Sequence, residues 1–414
     1  MDKNNKSYCR IPFDSVTVSP TGRMQLCCTA QWIDGSEKTR LKDIPSMQDW
    51  FKGEYISSVR TSMLKGEQVP ECASCYKNEK LHGNSKRTYI NEKYFKHNND
   101  VSEHSIKMID LKLGNTCNLK CKMCFPYASS ELWKEWKDLG WNSKDKDPGK
   151  DTSWKYYDGY FEEDYSWPRD KTNMDKIKES AENSQIINVT GGEPTINPEF
   201  YELLDHVINA GKAKDMTIEF TTNATKIHPR LFEKLSKFKN LVLTISMDGI
   251  GKTYEYIRYP ANFNAVYENI KKYSAFVKTL RDDSRLAFNF VLQVWNVHNA
   301  IDMIKKLAPL AVNSPENGVM IVALEDPTFM RWDMITKDMV KDTVKKIHSE
   351  MQKSHNKEIK WPIIAFAKII GVYKEYRSSD RWRQLEEFTE KQDGHRGISI
   401  EEYIPELARF FRYL

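Results

Sequence analysis

The sequence predicts an α/β fold: a partial, TIM-like (β/α)6 barrel over about residues 106–326, preceded by a cysteine-rich module and followed by a helical extension. Three observations carry that reading. Short apolar runs recur at residues 106–113, 186–190, 217–221, 242–246, 287–294 and 319–324, each of strand length. Helix-periodic stretches fall between them near residues 198–210, 229–238, 263–280 and 299–307, the last stopped by Pro309. Such alternation argues for parallel strands with helices outside, and six units can curl into an open barrel. The third observation is the clustering of the 8 cysteines: Cys9, Cys27, Cys28, Cys72 and Cys75 come early, and Cys117, Cys121 and Cys124 sit in one loop.

The 414 residues suffice for one large domain with a smaller one, or for two of medium size. Hydrophobic residues at 40% and charged residues at 29% fit a globular protein. The net formal charge of +5 comes from interspersed signs, so it reads as a mixed surface and gives no basic stripe for nucleic acid. No apolar run reaches the length of a membrane span, and the first residues lack the apolar core of a secretion signal. The expectation is a cytoplasmic protein with reduced thiols, in which clustered cysteines serve as metal ligands.

Residues 1–90 form the cysteine-rich module. Alternation over 15–18, a turn at Pro20-Thr21-Gly22 and a return over 24–28 predict a hairpin. Residues 47–64 have helical spacing, with Trp50, Phe51, Ile56, Val59 and Leu64 as apolar positions. Cys9, Cys27, Cys72 and Cys75 make a set of four thiols, which suits a closed zinc ribbon or a fully ligated iron–sulfur cluster equally well. Cys28 is left over and reads as a small buried residue. Residues 91–105 are polar and read as a linker.

The loop after the first barrel strand has the spacing C-x3-C-x2-C through Cys117, Cys121 and Cys124. Three thiols are one short of closing a zinc site or filling a [4Fe–4S] cluster, so one iron is left open for a substrate or cofactor. The plainer reading is three cysteines packed as small hydrophobes. Position favours chemistry, because α/β folds place active sites beyond the C-terminal ends of their strands. An aromatic insertion at 127–169 follows, with Trp133, Trp136, Trp141, Trp154 and Trp167 among the chain's 11 tryptophans. It reads equally as a small apolar cluster or as a lid.

Other strand ends carry polar groups. Gly191-Gly192-Glu193-Pro194 follows the second strand, Thr221-Thr222-Asn223 the third, and Ser246-Met247-Asp248-Gly249 the fourth, with Arg258 further on. Glycines let a ligand reach the backbone, Glu193 offers a carboxylate to a cation or amine, and Ser246 with Arg258 suits a carboxylate. Each alone is ordinary; their shared rim is what makes them candidates. Residues 327–414 read as a helical extension, with Trp361, Ile364 and Phe366 in an apolar run and a capped turn at Gly397.

The loop CNLKCKMC, the GGEP turn and the S-M-D-G strand end together resemble the radical S-adenosylmethionine (SAM) superfamily over roughly residues 106–326. The resemblance implies that Cys117, Cys121 and Cys124 bind a [4Fe–4S] cluster whose open iron takes SAM. It implies that Gly191, Gly192 and Glu193 meet the SAM amino group. Ser246 and Arg258 then match carboxylate or ribose contacts, and Asp248 a further ribose contact. Leu324 would line the adenine pocket, Asn223 belongs to the same rim, and Met123 stands where an aromatic is often found. The early set Cys9, Cys27, Cys72 and Cys75, with Gly22, is similar to the SPASM/twitch module and implies a second, auxiliary [4Fe–4S] cluster, with zinc the alternative. Here the module precedes the barrel, whereas in most members it follows. The implied activity is reductive cleavage of SAM to a 5′-deoxyadenosyl radical that abstracts hydrogen, most naturally in an oxidative modification of a peptide or protein side chain. An external electron donor such as flavodoxin or ferredoxin is implied. The alternatives are a dehydrogenase or other modifying enzyme for a small alcohol or sugar, and a non-catalytic iron–sulfur protein.

Overall fold

The computed structural model describes residues 5–31, 39–93, 105–141, 161–281, 283–314 and 318–411. The chain is an α/β fold whose eight described strands are mostly parallel. It divides into two units. The first holds Met1–Asn115, Asp164–Glu219 and Lys237–Lys239; the second holds Thr116–Glu163, Phe220–Ser236 and Asn240–Leu414.

In the first unit the expected hairpin forms from β1 (Ser15–Val18) and β2 (Met24–Gln25), antiparallel. β1 also pairs in parallel with β3 (Met108–Lys112), which pairs in parallel with β4 (Ile186–Thr190). The alternating apolar residues explain this: Val16, Val18, Ile109, Leu111, Ile187 and Val189 are all fully buried. The single helix expected over 47–64 is two, Met47–Lys52 and Glu54–Lys65, broken at Gly53, whose backbone is extended. The phase of the second helix buries Met63 and leaves Leu64 48% exposed, against expectation. Trp167 Nε1 donates to the Pro20 carbonyl at 2.9 Å, tying the end of the aromatic insertion to the hairpin turn.

β5 (Thr217–Thr222) comes next in chain order. The second unit contains β6 (Asn240–Ser246), β7 (Arg285–Leu292) and β8 (Val319–Ala323), with β6 parallel to β7 and β7 to β8. Helix Phe263–Val277 starts where expected because the Asn262 side chain accepts from Ala265 N. The helix expected over 229–238 shrinks to Leu231–Leu235. The C-terminal stretch is helical, with Lys337–Lys353, Lys357–Gly371 and Ser379–Arg396 its long members. Ile363, Phe366 and Ile370 form the buried face of the middle one, while Trp361 is 46% exposed.

Trp141, from the aromatic insertion, stacks on Phe388 at 5.2 Å and meets Trp136 edge-on at 5.5 Å. That much of the insertion is an apolar cluster. Trp154 lies outside the described residues, and so do residues 94–104 of the expected linker. Among the described residues no helix is long and apolar enough to cross a membrane.

Candidate functional site

In the second unit, the cysteine loop is held through its backbone from three sides. Ser130 Oγ bonds both N–H and carbonyl of Cys117 at 3.2 Å, and Ser129 Oγ donates to Leu119 O at 2.6 Å. Lys120 N donates to Tyr259 O and Lys122 N to Ile257 O, at 2.7 and 2.9 Å. Arg396 Nη2 donates to Lys120 O at 2.6 Å. A loop so pinned has few conformations to lose when its thiols take up ligand positions. Cys121 is buried, and Cys117 and Cys124 are partly so. Burial pushes the Cys124 thiol up to about 12, and a charge on Cys121 adds to it. Cys121 is raised by burial too, against the lowering charges of Arg258 and Arg396.

Lys122, between two of the cysteines, is fully buried. Its Nζ donates to Asp393 Oδ1 at 2.7 Å and lies 4.1 Å from the centre of the Tyr256 ring. Burial lowers its pKa to about 8, with Asp393 opposing. Tyr256 Oη donates to Asp393 Oδ2 at 2.8 Å. Beside this, Arg396 clamps Glu135 through Nε and Nη2 at 2.9 and 2.7 Å, both side chains wholly buried. None of Lys122, Glu135, Asp393 or Arg396 stands out in the sequence, where charged residues are common.

Asn223 reaches the same loop: its Nδ2 donates to Asn118 Oδ1 at 3.1 Å, and Asn118 Nδ2 donates to Thr225 Oγ1 at 2.9 Å. Asp248 is fully buried and ion-paired with Arg258, Oδ2 to Nε 2.7 Å. Its Oδ1 accepts from Val291 N, and its backbone carbonyl accepts from Asn296 Nδ2. Arg258 thus already has an anionic partner, and a Cys121 charge also acts on it. Ser246, Met123 and Leu324 are half-buried. Leu324 N donates to Leu292 O, continuing the β8–β7 pairing past the strand.

In the first unit, Gly191 and Gly192 have φ of +76° and +58°. A Cβ on Gly191 would stand 2.6 Å from Lys112 Cβ, so the turn and the close strand contact both demand glycine. Gly191→Ala should therefore cost about 2–3 kcal/mol, read as a lower urea midpoint at unchanged slope; an unchanged midpoint would show that the turn relaxes freely. Glu193 is buried, and its Oε1 accepts from Thr195 N and Oγ1 at 3.1 and 2.7 Å, which fixes the carboxylate. Asn197 Nδ2 donates to Leu113 O at 2.7 Å, tying the turn to the end of β3.

The early thiols are gathered in this unit. Burial holds Cys9 far above the ordinary thiol range, and charges on Cys27, Cys72 and Cys75 raise it further. Cys72 is pushed to about 12 by burial, then by Cys27 and Cys75. Among the described residues no three His, Cys, Asp or Glu side chains form a closed metal-ligand group as they stand. Cys9 is buried and Cys27, Cys72 and Cys75 are partly so, and four thiols are the donor type that a zinc ion or an iron–sulfur cluster takes. Cys28 is exposed rather than buried, with Lys86 Nζ 2.6 Å from its sulfur.

The radical SAM superfamily model matches residues 111–307. Mycofactocin maturase MftC of Mycobacterium ulcerans is 33% identical over 75 residues, covering 18% of this chain and 19% of MftC. Radical SAM cyclopropyl synthase TigE of Paramaledivibacter caminithermalis is 27% identical over 194 residues, 45% of this chain and 35% of TigE. The chain thus matches less than half the length of either relative. Among solved structures, Streptococcus suis SuiB bound to precursor peptide SuiA aligns over 72% of this chain and 51% of its own, with 13% identity and a TM-score of 0.35. The structure of anSMEcpe with bound AdoMet aligns over 58% and 60%, with 16% identity and a TM-score of 0.35.

Proposed function

We propose that this chain is a radical SAM enzyme that oxidatively modifies a side chain of a peptide or protein, a reading supported by the match of residues 111–307 to the radical SAM superfamily model. The observation that carries the reading is the cysteine loop, three thiols on a backbone pinned from three sides. Cys117, Cys121 and Cys124 would hold a [4Fe–4S] cluster and leave one iron for SAM. When bound, cluster and SAM supply the reductive cleavage of SAM to methionine and a 5′-deoxyadenosyl radical, which takes a hydrogen atom from the substrate.

The chain's own residues bind, orient and exclude water. Gly191 and Gly192 offer backbone to the SAM amino group, and the fixed Glu193 carboxylate accepts from it. Asp248 orients Arg258, so the two serve the SAM carboxylate and ribose as a unit, with Ser246 beside them in this role. Met123 and Leu324 are assigned to the adenine, and Asn223 steadies the loop through Asn118. Cys9, Cys27, Cys72 and Cys75 are assigned to a second [4Fe–4S] cluster in a SPASM/twitch-like module, supported by their residue type and spacing. The partial barrel, cytoplasmic location and an external electron donor of the flavodoxin or ferredoxin kind belong to the same reading. The substrate class follows the resemblance to module-bearing members; the matched relative MftC is by name a maturase.

The test is anaerobic. The reconstituted protein is reduced with dithionite, SAM is added, and 5′-deoxyadenosine is measured by chromatography. Steady formation of the nucleoside is expected. A fully loaded protein that forms none would be a non-catalytic iron–sulfur protein instead.

A further inference from the structure

Lys122 stands between Cys121 and Cys124, and its side chain has no exposed surface. Lysine is almost never buried so completely unless it is paired. Its Nζ donates to Asp393 Oδ1 at 2.7 Å and to Gln392 Oε1 at 3.2 Å. It also lies over two aromatic rings, 4.1 Å from the centre of Tyr256 and 5.4 Å from that of Trp295. Each acceptor is itself held. Asp393 Oδ2 accepts from Tyr256 Oη at 2.8 Å, and Gln392 Nε2 donates to Glu135 Oε1 at 2.9 Å. The backbone adds a bond of its own, Lys122 N to Ile257 O at 2.9 Å. This one residue is thus fastened to the end of helix Gly251–Ile257 and to the C-terminal end of helix Ser379–Arg396.

A buried ion pair adds little net stability, because an apolar side chain of similar size fills the same space without the cost of desolvating two charges. What the pair adds is direction. An ammonium bonded to two fixed acceptors sets where its own backbone lies, which an apolar side chain does not. That position matters here. Cys121 precedes Lys122 directly, and Cys124 N donates to Cys121 O at 3.0 Å, closing the turn that carries both thiols. The helix that supplies Gln392 and Asp393 lies beyond residues 111–307, so the anchor comes from the C-terminal extension and not from the matched domain.

Taking the loop as a cluster site, as above, we propose that Lys122 is a positioning residue. Its side chain fastens the Cys121–Cys124 turn to helix Ser379–Arg396, so that the thiols are spaced for iron and the cluster is retained. Arg396 holds Lys120 O separately, so the two ties can be cut one at a time.

Lys122→Met in the full chain tests it, beside Ile363→Ala, a fully buried core position on helix Lys357–Gly371. Urea is added to bring the two variants to equal stability. Hydrogen exchange of the reconstituted protein, read by mass spectrometry, follows the loop amides, those of Lys120 and Lys122 among them. These should exchange at least about tenfold faster in Lys122→Met than in the matched control. Iron release to excess chelator is followed as decay of the reduced-cluster electron paramagnetic resonance signal that shifts when SAM is added. It should also be at least about tenfold faster in Lys122→Met. Loop exchange no faster than in the control, or iron release no faster, overturns the positioning role, and the ion pair then only fills the core. If Lys122→Met does not fold by circular dichroism, Tyr256→Phe replaces it, since it keeps the ion pair and frees Asp393. Loop exchange at least about threefold faster than in the control is then expected, and no change overturns the role. A wild-type protein with no SAM-responsive signal removes the cluster reading, and the exchange comparison still decides the tether. Unchanged exchange alongside normal 5′-deoxyadenosine formation removes the positioning role alone.

Discussion

The Cys117→Ala, Cys121→Ala, Cys124→Ala variant is expected to form no 5′-deoxyadenosine above a no-enzyme control while keeping about half of the iron. The reasoning is one of ligand counting. Three thiolates plus an open iron, and four thiolates closed, would give about eight irons per chain in the wild type, about four from each set. On the proposed assignment, removing the loop thiols should remove the open site and leave the closed one, because the early cysteines belong to the first unit and the loop to the second. The reciprocal variant, Cys9→Ala with Cys27→Ala, Cys72→Ala and Cys75→Ala, should keep the nucleoside product and lose substrate modification. Metal analysis and the chromatographic assay together decide the matter. About four irons with a zinc ion in the wild type would make the early set a zinc ribbon. Loss of all iron in the triple variant would mean that the early set holds none.

The strands were legible because apolar runs of strand length leave a local trace. β4 has the bounds read from the sequence, and β3, β5, β6, β7 and β8 lie within two residues of theirs. The parallel pairing of β1 with β3 was not legible. Its hairpin partner is close along the chain, but Ser15 pairs with Met108, and nothing local records a partner so distant. The break at Gly53 was a matter of backbone freedom in one residue set against a continuous apolar period. Cys28 was misread because small size suggests burial, whereas Lys86 holds its thiol at the surface. The candidate site divides the same way. The cysteine loop announces itself by residue type and spacing. Its supports do not, since Glu135 and Arg396 are 261 residues apart and each looks like an ordinary surface charge in sequence.

Those supports carry the second large effect. Glu135→Ala should lower stability by about 3–5 kcal/mol, because it leaves the Arg396 guanidinium buried without its anion. Arg396 has no exposed side-chain surface, and its bidentate bond to Glu135 is joined by Gln392 Nε2 at 2.9 Å. Burial by itself would raise the Glu135 pKa, but the bonds and charge of Arg396 outweigh it and hold the group below the ordinary glutamate range. The stabilisation is therefore fully present above that range and fades as acid protonates Glu135 through its lowered pKa. Urea unfolding followed by tryptophan fluorescence near neutral pH gives the measurement. The Glu135→Leu, Arg396→Met double variant should recover most of the loss, because an apolar pair removes the unpaired charge. It would still lack the bond from Arg396 to Lys120 O. It should then fold well yet hold the cysteine loop less firmly, seen as broadened electron paramagnetic resonance lines of the reduced loop cluster. A single variant within about 1 kcal/mol of wild type would mean that water reaches the pair, and that helix Ser379–Arg396 does not brace the loop.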